Sequence, residues 1–316
     1  MTQTHPVDPE IAPVLDVFPA FELSDEALDS VRQMLGRPRP DGPAPLIEPE
    51  ERFAPSYGDA PPVRLLLFDP PGRTHRAAIL HMHGGGTVMG CADVSAVNNA
   101  VLARDLGVLI VSVDYRLSPE APFPAALDDS VAAYDWMQAA ADELRIDPGR
   151  IAVAGESAGG LLAAALALMA RDTKRTPPCF QLLTYPMLDH RTGSEAHPGI
   201  VGTGNHIWTR HSNRYAWSAL GQEHVPEGER AAWFSPSLAH DLTGLPPAWI
   251  GVGALDLFLA EDLDYAGRLG AAGTAVELQI YRGAFHAFDM VEAAAVTRRY
   301  RADIRRALTS ALGLAG

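Results

Sequence analysis

From residue 63 onward, the chain alternates short apolar runs rich in β-formers with longer stretches of helical spacing. The runs are VRLLLF (63–68), AAILHMH (77–83), GVLIVSVDY (107–115), RIAVAG (150–155), FQLLTYPM (180–187), AWIGVGAL (248–255) and VELQIY (276–281). Four of them are almost continuously apolar, as strands must be when helices bury both of their faces. Helical stretches lie between them at about 124–141, 158–172, 260–272 and 289–312. The alternation predicts an α/β fold, a mostly parallel central sheet with helices on both faces.

Two regions break this rhythm. Ahead of it, PEIAPVLDVF (9–18) and SDEALDSVRQML (24–35) carry helical spacing, with Ser24 placed as an N-cap before two acids. The following GRPRPDGPAP (36–45) is too proline-rich for a helix or a central strand and reads as a linker. Later, residues 190–235 contain no convincing strand. An insertion of that length in an α/β domain suits a lid. The expected organisation is therefore cap helices and linker over 1–60, a core over 61–189 and 236–316, and a cap insertion over 190–235.

With 47% hydrophobic residues in 316, the chain can bury one large core, and no internal repeat is visible. Its net charge is −14 and Lys174 is its only lysine, so nucleic acid is not an expected partner. Cys91 and Cys179 cannot make a disulfide framework and are read as reduced thiols. The longest helical apolar run, about 158–170, falls short of the roughly 20 residues a bilayer needs, and MTQTHPVDPE has no signal-peptide pattern. The expectation is a soluble, cytoplasmic protein with no membrane partner.

The candidate chemistry sits where strands end. GESAGG (155–160) joins a buried run to a helical one, and its glycines permit a sharp turn that lifts the Ser157 hydroxyl above the sheet. The same turn sets the hydroxyl at a helix N-terminus, which favours developing negative charge. HGGG (83–86) also ends a strand-like run, and its bare backbone N–H groups could form an oxyanion hole with the N–H of Ala158. A serine needs a base and the base an orienting acid. His286, in YRGAFHAF after the last strand-like run, fits the base better than His5, His75, His81, His190, His197, His206, His211 or His224. Asp256, directly after a buried run, fits the acid. Glu261, Asp262 and Asp264 on the next helix are read as solvated, Asp289 comes after the histidine, and Asp114 is paired with nearby Arg116. His83 is read as orienting its loop. Trp208 and Trp217 are read as packing the cap, and Cys91 as a small buried residue.

HGGG, DYRLSPEAPFPAALDD (114–129), GESAGG, YPMLD (185–189), GALD (253–256) and YRGAFHAF (281–288), in this order, resemble the hormone-sensitive lipase family of bacterial carboxylesterases. The likeness covers most of residues 60–312. It implies an α/β-hydrolase fold with a helical cap, Ser157, Asp256 and His286 as catalytic triad, and Gly84, Gly85 and Ala158 as oxyanion donors. Gly86, His83 and Glu156 are its supporting motif residues. It further implies hydrolysis of short- to medium-chain carboxylic esters, no metal or organic cofactor, a small-molecule ester as partner, and dimerisation through an exposed sheet edge. The chain departs from the family pattern in Thr87, where an aromatic residue is frequent, and in Glu156, where aspartate is common. The same machinery could serve amides, lactones or carbamates. A non-catalytic receptor on this fold would have no use for the triad.

Overall fold

The computed structural model describes residues 6–18, 22–35, 42–222 and 224–314. His5 and residues 36–41 of the expected linker lie outside the described residues. Eight strands form one sheet: β1 (Glu50–Ala54), β2 (Val63–Phe68), β3 (Ala78–Met82), β4 (Leu109–Asp114), β5 (Ile151–Glu156), β6 (Phe180–Thr184), β7 (Ala248–Gly253) and β8 (Val276–Tyr281). Their spatial order is β1-β2-β4-β3-β5-β6-β7-β8. β2 runs antiparallel to both β1 and β4, and every other pair is parallel.

The continuous apolar runs are explained by two cores. Successive residues on one strand feed opposite faces. Leu80, Val111, Leu183 and Ile250 pack with α4 (Ala125–Ala139), α5 (Ala158–Asp172) and α8 (Leu259–Ala271), whereas their neighbours Ile79, Ile110, Leu182 and Trp249 pack with α3 (Ala96–Leu106) and α9 (Ala295–Ala311). A third apolar cluster caps the carboxyl ends of the strands. It joins Leu28 and Val31 of α2 (Asp25–Leu35) to Trp217 and Leu220 of α6 (Arg210–Gly221), Phe234 of α7 (Glu229–Phe234), and Val88, Met89 and Ala158.

The structure departs from the sequence expectation in six places. β1 was not anticipated: EERFA is mostly exposed and polar, and it exists because β2 offers it an open edge. The first helix shrinks to the single turn α1 (Val14–Val17), since Pro13 lacks an N–H and disrupts the turn before it. α3 was also missed, its alanines and asparagines giving little amphipathic contrast. α9 starts later than expected, because residues 288–290 form a separate 3₁₀ turn that carries Asp289 inward to the Tyr185 hydroxyl at 2.7 Å. Asp114 pairs with Arg64 and accepts from the Ala92 N–H, while Arg116 pairs with Asp129. Glu261 and Asp262 are buried, a point taken up below. Ser24 does cap α2, accepting from the Ala27 N–H at 3.2 Å. No helix among the described residues is long and apolar enough to cross a membrane.

Candidate active site

Ser157 is the single residue between the end of β5 and the start of α5. Its φ of 56° and ψ of −116° are strained for a residue with a side chain. The surrounding backbone enforces this geometry. The Ser157 N–H donates to the Thr184 carbonyl at 2.9 Å, and the Ser157 carbonyl accepts from Leu161 and Met187 at 3.1 Å. Small neighbours are required sterically: a methyl group on Gly155 would lie 2.8 Å from Gly159 Cα, and one on Gly159 would lie 2.8 Å from the His83 carbonyl oxygen. The elbow thus rests directly on the end of β3.

His286 lies beyond β8 and Asp256 beyond β7, and the parallel register brings both to the same sheet edge as Ser157. His286 Nε2 is 3.0 Å from Ser157 Oγ, and its Nδ1 is 2.8 Å from Asp256 Oδ2. The other carboxylate oxygen, Oδ1, accepts from the Phe258 N–H at 3.0 Å, which fixes the plane of the carboxylate. An ionised carboxylate only accepts, so the imidazole proton is assigned to Nδ1, and Nε2 turns a lone pair toward the serine. All three side chains are buried. Rings surround the imidazole, with centroid distances of 4.7 Å to Tyr185, 5.2 Å to Phe258 and 6.0 Å to Trp208.

The glycine loop runs alongside. The Gly84 α-carbon faces the elbow, since a methyl group there would sit 3.5 Å from Ser157 Cβ. Among the described residues, no carbonyl or side chain accepts from the N–H of Gly84, Gly85 or Ala158. These three donors are available for a ligand oxygen. His83 is buried and stacks on Tyr115 with centroids 4.1 Å apart. Burial pushes its imidazole down to about 4, so the ring is neutral near pH 7. Its Nδ1 meets the Gly84 carbonyl at 2.8 Å and therefore carries the proton. Gly86 (φ +63°) packs under the Trp208 indole.

Glu156 points away from the serine. Its carboxylate takes a hydrogen bond from His81 Nε2 at 3.0 Å, and His81 Nδ1 is held by Ser112 and Asn99, each at 3.1 Å. Trp208 was read as cap packing, yet it reaches both Gly86 and His286; its indole N–H is fixed by Asn213 at 3.1 Å, which in turn donates to the Thr192 carbonyl. Nothing in its local sequence marks that position, because the insertion has no periodic pattern to orient it. Cys91 and Cys179 are free, and burial raises both thiols, Cys179 to about 11. Among the described residues, no group of three or more His, Cys, Asp or Glu is placed to hold a metal ion. A serine hydroxyl on an imidazole that is held by a carboxylate, beside three N–H groups with no acceptor among the described residues, is an arrangement suited to acyl transfer.

Comparison with known proteins gives the family of the chain. Residues 79–290 match a protein-family model described as alpha/beta hydrolase fold. Esterase LipI of Mycobacterium tuberculosis is 34% identical over 288 residues, which span 89% of this chain and 88% of the relative. Carboxylesterase NlhH of the same organism is 34% identical over 313 residues, 96% of each chain. Among solved structures, a bacterial heroin esterase superposes with a TM-score of 0.85 at 35% identity, covering 97% of this chain and 98% of its own.

Proposed function

This chain belongs to the alpha/beta hydrolase fold family as a carboxylic ester hydrolase of its hormone-sensitive-lipase-like group, and we propose that Ser157, His286 and Asp256 carry the reaction through an acyl-enzyme. His286 Nε2 takes the Ser157 proton as Oγ attacks the ester carbonyl. The N–H groups of Gly84, Gly85 and Ala158 receive the negative charge that collects on the carbonyl oxygen. His286 then protonates the departing alcohol. Water enters, gives its proton to the same nitrogen and attacks the acyl-serine, and the proton returns to Ser157 as the acid leaves. Asp256 holds Nδ1–H throughout and stabilises the imidazolium. Every step uses groups of this chain.

The observation that carries this reading is the unbroken contact chain from Ser157 Oγ through His286 to Asp256, at 3.0 and 2.8 Å. Turnover of p-nitrophenyl butyrate by wild type and Ser157→Ala tests it. The variant should lose on the order of 10⁴- to 10⁶-fold in kcat. Equal rates would overturn it.

We further read residues 22–35 and 190–235 as one cap over a core of 61–189 and 236–316; the rest of the expected 1–60 cap that is described packs elsewhere, α1 against the cluster that holds Tyr281 and Phe285, and β1 along β2. Hydrogen bonds between Leu23 and Ser212, Leu23 and His211, and Asp25 and Tyr215 support that pairing. The Trp208 ring beside the His286 imidazole narrows the space there and supports short- to medium-chain acyl groups. A cytoplasmic location suits the free thiols. A homodimer formed along β8 suits that strand's open edge and its exposed Ile280.

A further inference from the structure

The parallel ladder pairs Met82 of β3 with Val113 of β4, so the residues just past each strand end, His83–Gly84 and Tyr115, are neighbours. Tyr115 is buried, and its hydroxyl donates to the His83 carbonyl at 2.7 Å. In a trans peptide the C=O and N–H point in opposite directions. Holding the His83 carbonyl therefore aims the Gly84 N–H away from Tyr115. The next peptide is held by the same rule: His83 Nδ1 holds the Gly84 carbonyl, which aims the Gly85 N–H. The two aromatic rings that make these bonds are stacked at an interplanar angle of 9° and brace each other.

We propose that Tyr115 is a positioning residue for the oxyanion hole, fixing through the His83 carbonyl the direction of the Gly84 N–H. This rests on the hydrolase reading given above. The hydroxyl touches no substrate atom. It acts on a donor whose bond to oxygen strengthens only as charge develops, so its loss lowers kcat and spares substrate binding.

Y115F removes one oxygen and keeps the stacked ring. Deleting a whole oxyanion donor costs about 10²- to 10³-fold, so a misdirected one should cost about 10- to 100-fold in kcat. KM should stay within about twofold. Affinity for a trifluoromethyl ketone, whose adduct with Ser157 places an oxyanion in the hole, should weaken by the same factor as kcat. The inhibitor affinity is independent of the fraction folded, so it separates a misdirected donor from a loss of folded protein. Y265F is the control, since Tyr265 buries a hydroxyl that has no partner among the described residues, and it should keep wild-type kcat. If Y115F keeps kcat within about twofold of wild type, or if KM rises as kcat falls, the proposal is overturned. If Ser157→Ala is active in the same assay, the hydrolase reading itself fails; an inactive Ser157→Ala beside a fully active Y115F removes only the role of Tyr115.

Discussion

A methyl group built on Gly86 would lie 2.9 Å from Cζ2 of the Trp208 indole, and 3.1 Å from Cβ of Ala216. The third glycine of the loop is thus the floor on which the insertion's tryptophan rests, and the indole centroid lies 6.0 Å from that of the His286 imidazole. Gly86→Ala must displace one of the two. We expect at least about a tenfold loss in kcat/KM, and partial recovery in the double variant Gly86→Ala/Trp208→Phe. The coupling in that cycle should fall in the range of about 0.5–3 kcal/mol found for residues in contact. Simple additivity would show that the loop adjusts without touching the ring.

Asp256→Asn should be nearly inactive while folding normally. The Phe258 N–H needs an acceptor, so the carboxamide oxygen of the variant stays on it and the NH₂ faces His286. Nδ1 must then accept, and Nε2 carries the proton toward a serine that needs a lone pair. A drop of roughly 10³- to 10⁴-fold in kcat is expected, with little change in KM. Steady-state kinetics on the purified variant, with circular dichroism as a folding check, tests this.

Arg32 ties α2 to the body of the molecule. Its guanidinium donates to the Val88 carbonyl at 2.7 Å and the Ser118 carbonyl at 2.8 Å, and also grips Glu120. Glu120 is 63% exposed, so that ion pair is screened and worth under about 1 kcal/mol. The two bonds to partly buried carbonyls are worth more, about 1.5–3 kcal/mol each for a charged donor. Arg32→Met should therefore lower urea stability several-fold more than Glu120→Gln. Equal losses would place the anchor in the ion pair.

Asp262 is buried, neither of its oxygens has a partner among the described residues, and burial pushes its carboxyl well above the usual carboxylate range. The folded chain then holds a proton that the unfolded chain releases near pH 4. Below that pH the aspartate costs nothing on this account. Its penalty grows as pH rises from there toward the folded value. Asp262→Asn, which cannot ionise, should be measurably more stable than wild type at pH 8. The gain should shrink toward pH 5. Urea midpoints at the two pH values decide it, and a gain equal at both would remove ionisation as the cause.

Much of this was legible in the sequence, for a physical reason. A strand buried on both faces must be apolar throughout, so the six inner segments announce themselves together with β8, and polar residues just past the ends of the parallel strands sit at one rim. Ser157, Asp256 and His286 were readable in that way. Glu261 and Asp262 read as solvated yet are buried, and the partners of Glu261 lie on the distant segment 188–192. There Glu261 accepts from the Leu188 N–H at 2.6 Å and from the Thr192 hydroxyl. No spacing on α8 records those partners. The polar β1 and the place of Trp208 were hidden likewise, each being set by what it lies against.

β8 is paired on one side only, and it is the strand that leads to His286. Local opening spreads inward from such margins at a fraction of the global unfolding energy. On warming, the imidazole should swing clear of the serine while β2 to β7 still hold their ladder. Catalytic lifetime at elevated temperature is then governed by the attachment of one marginal strand, and a second copy seated along it would act as a heat shield.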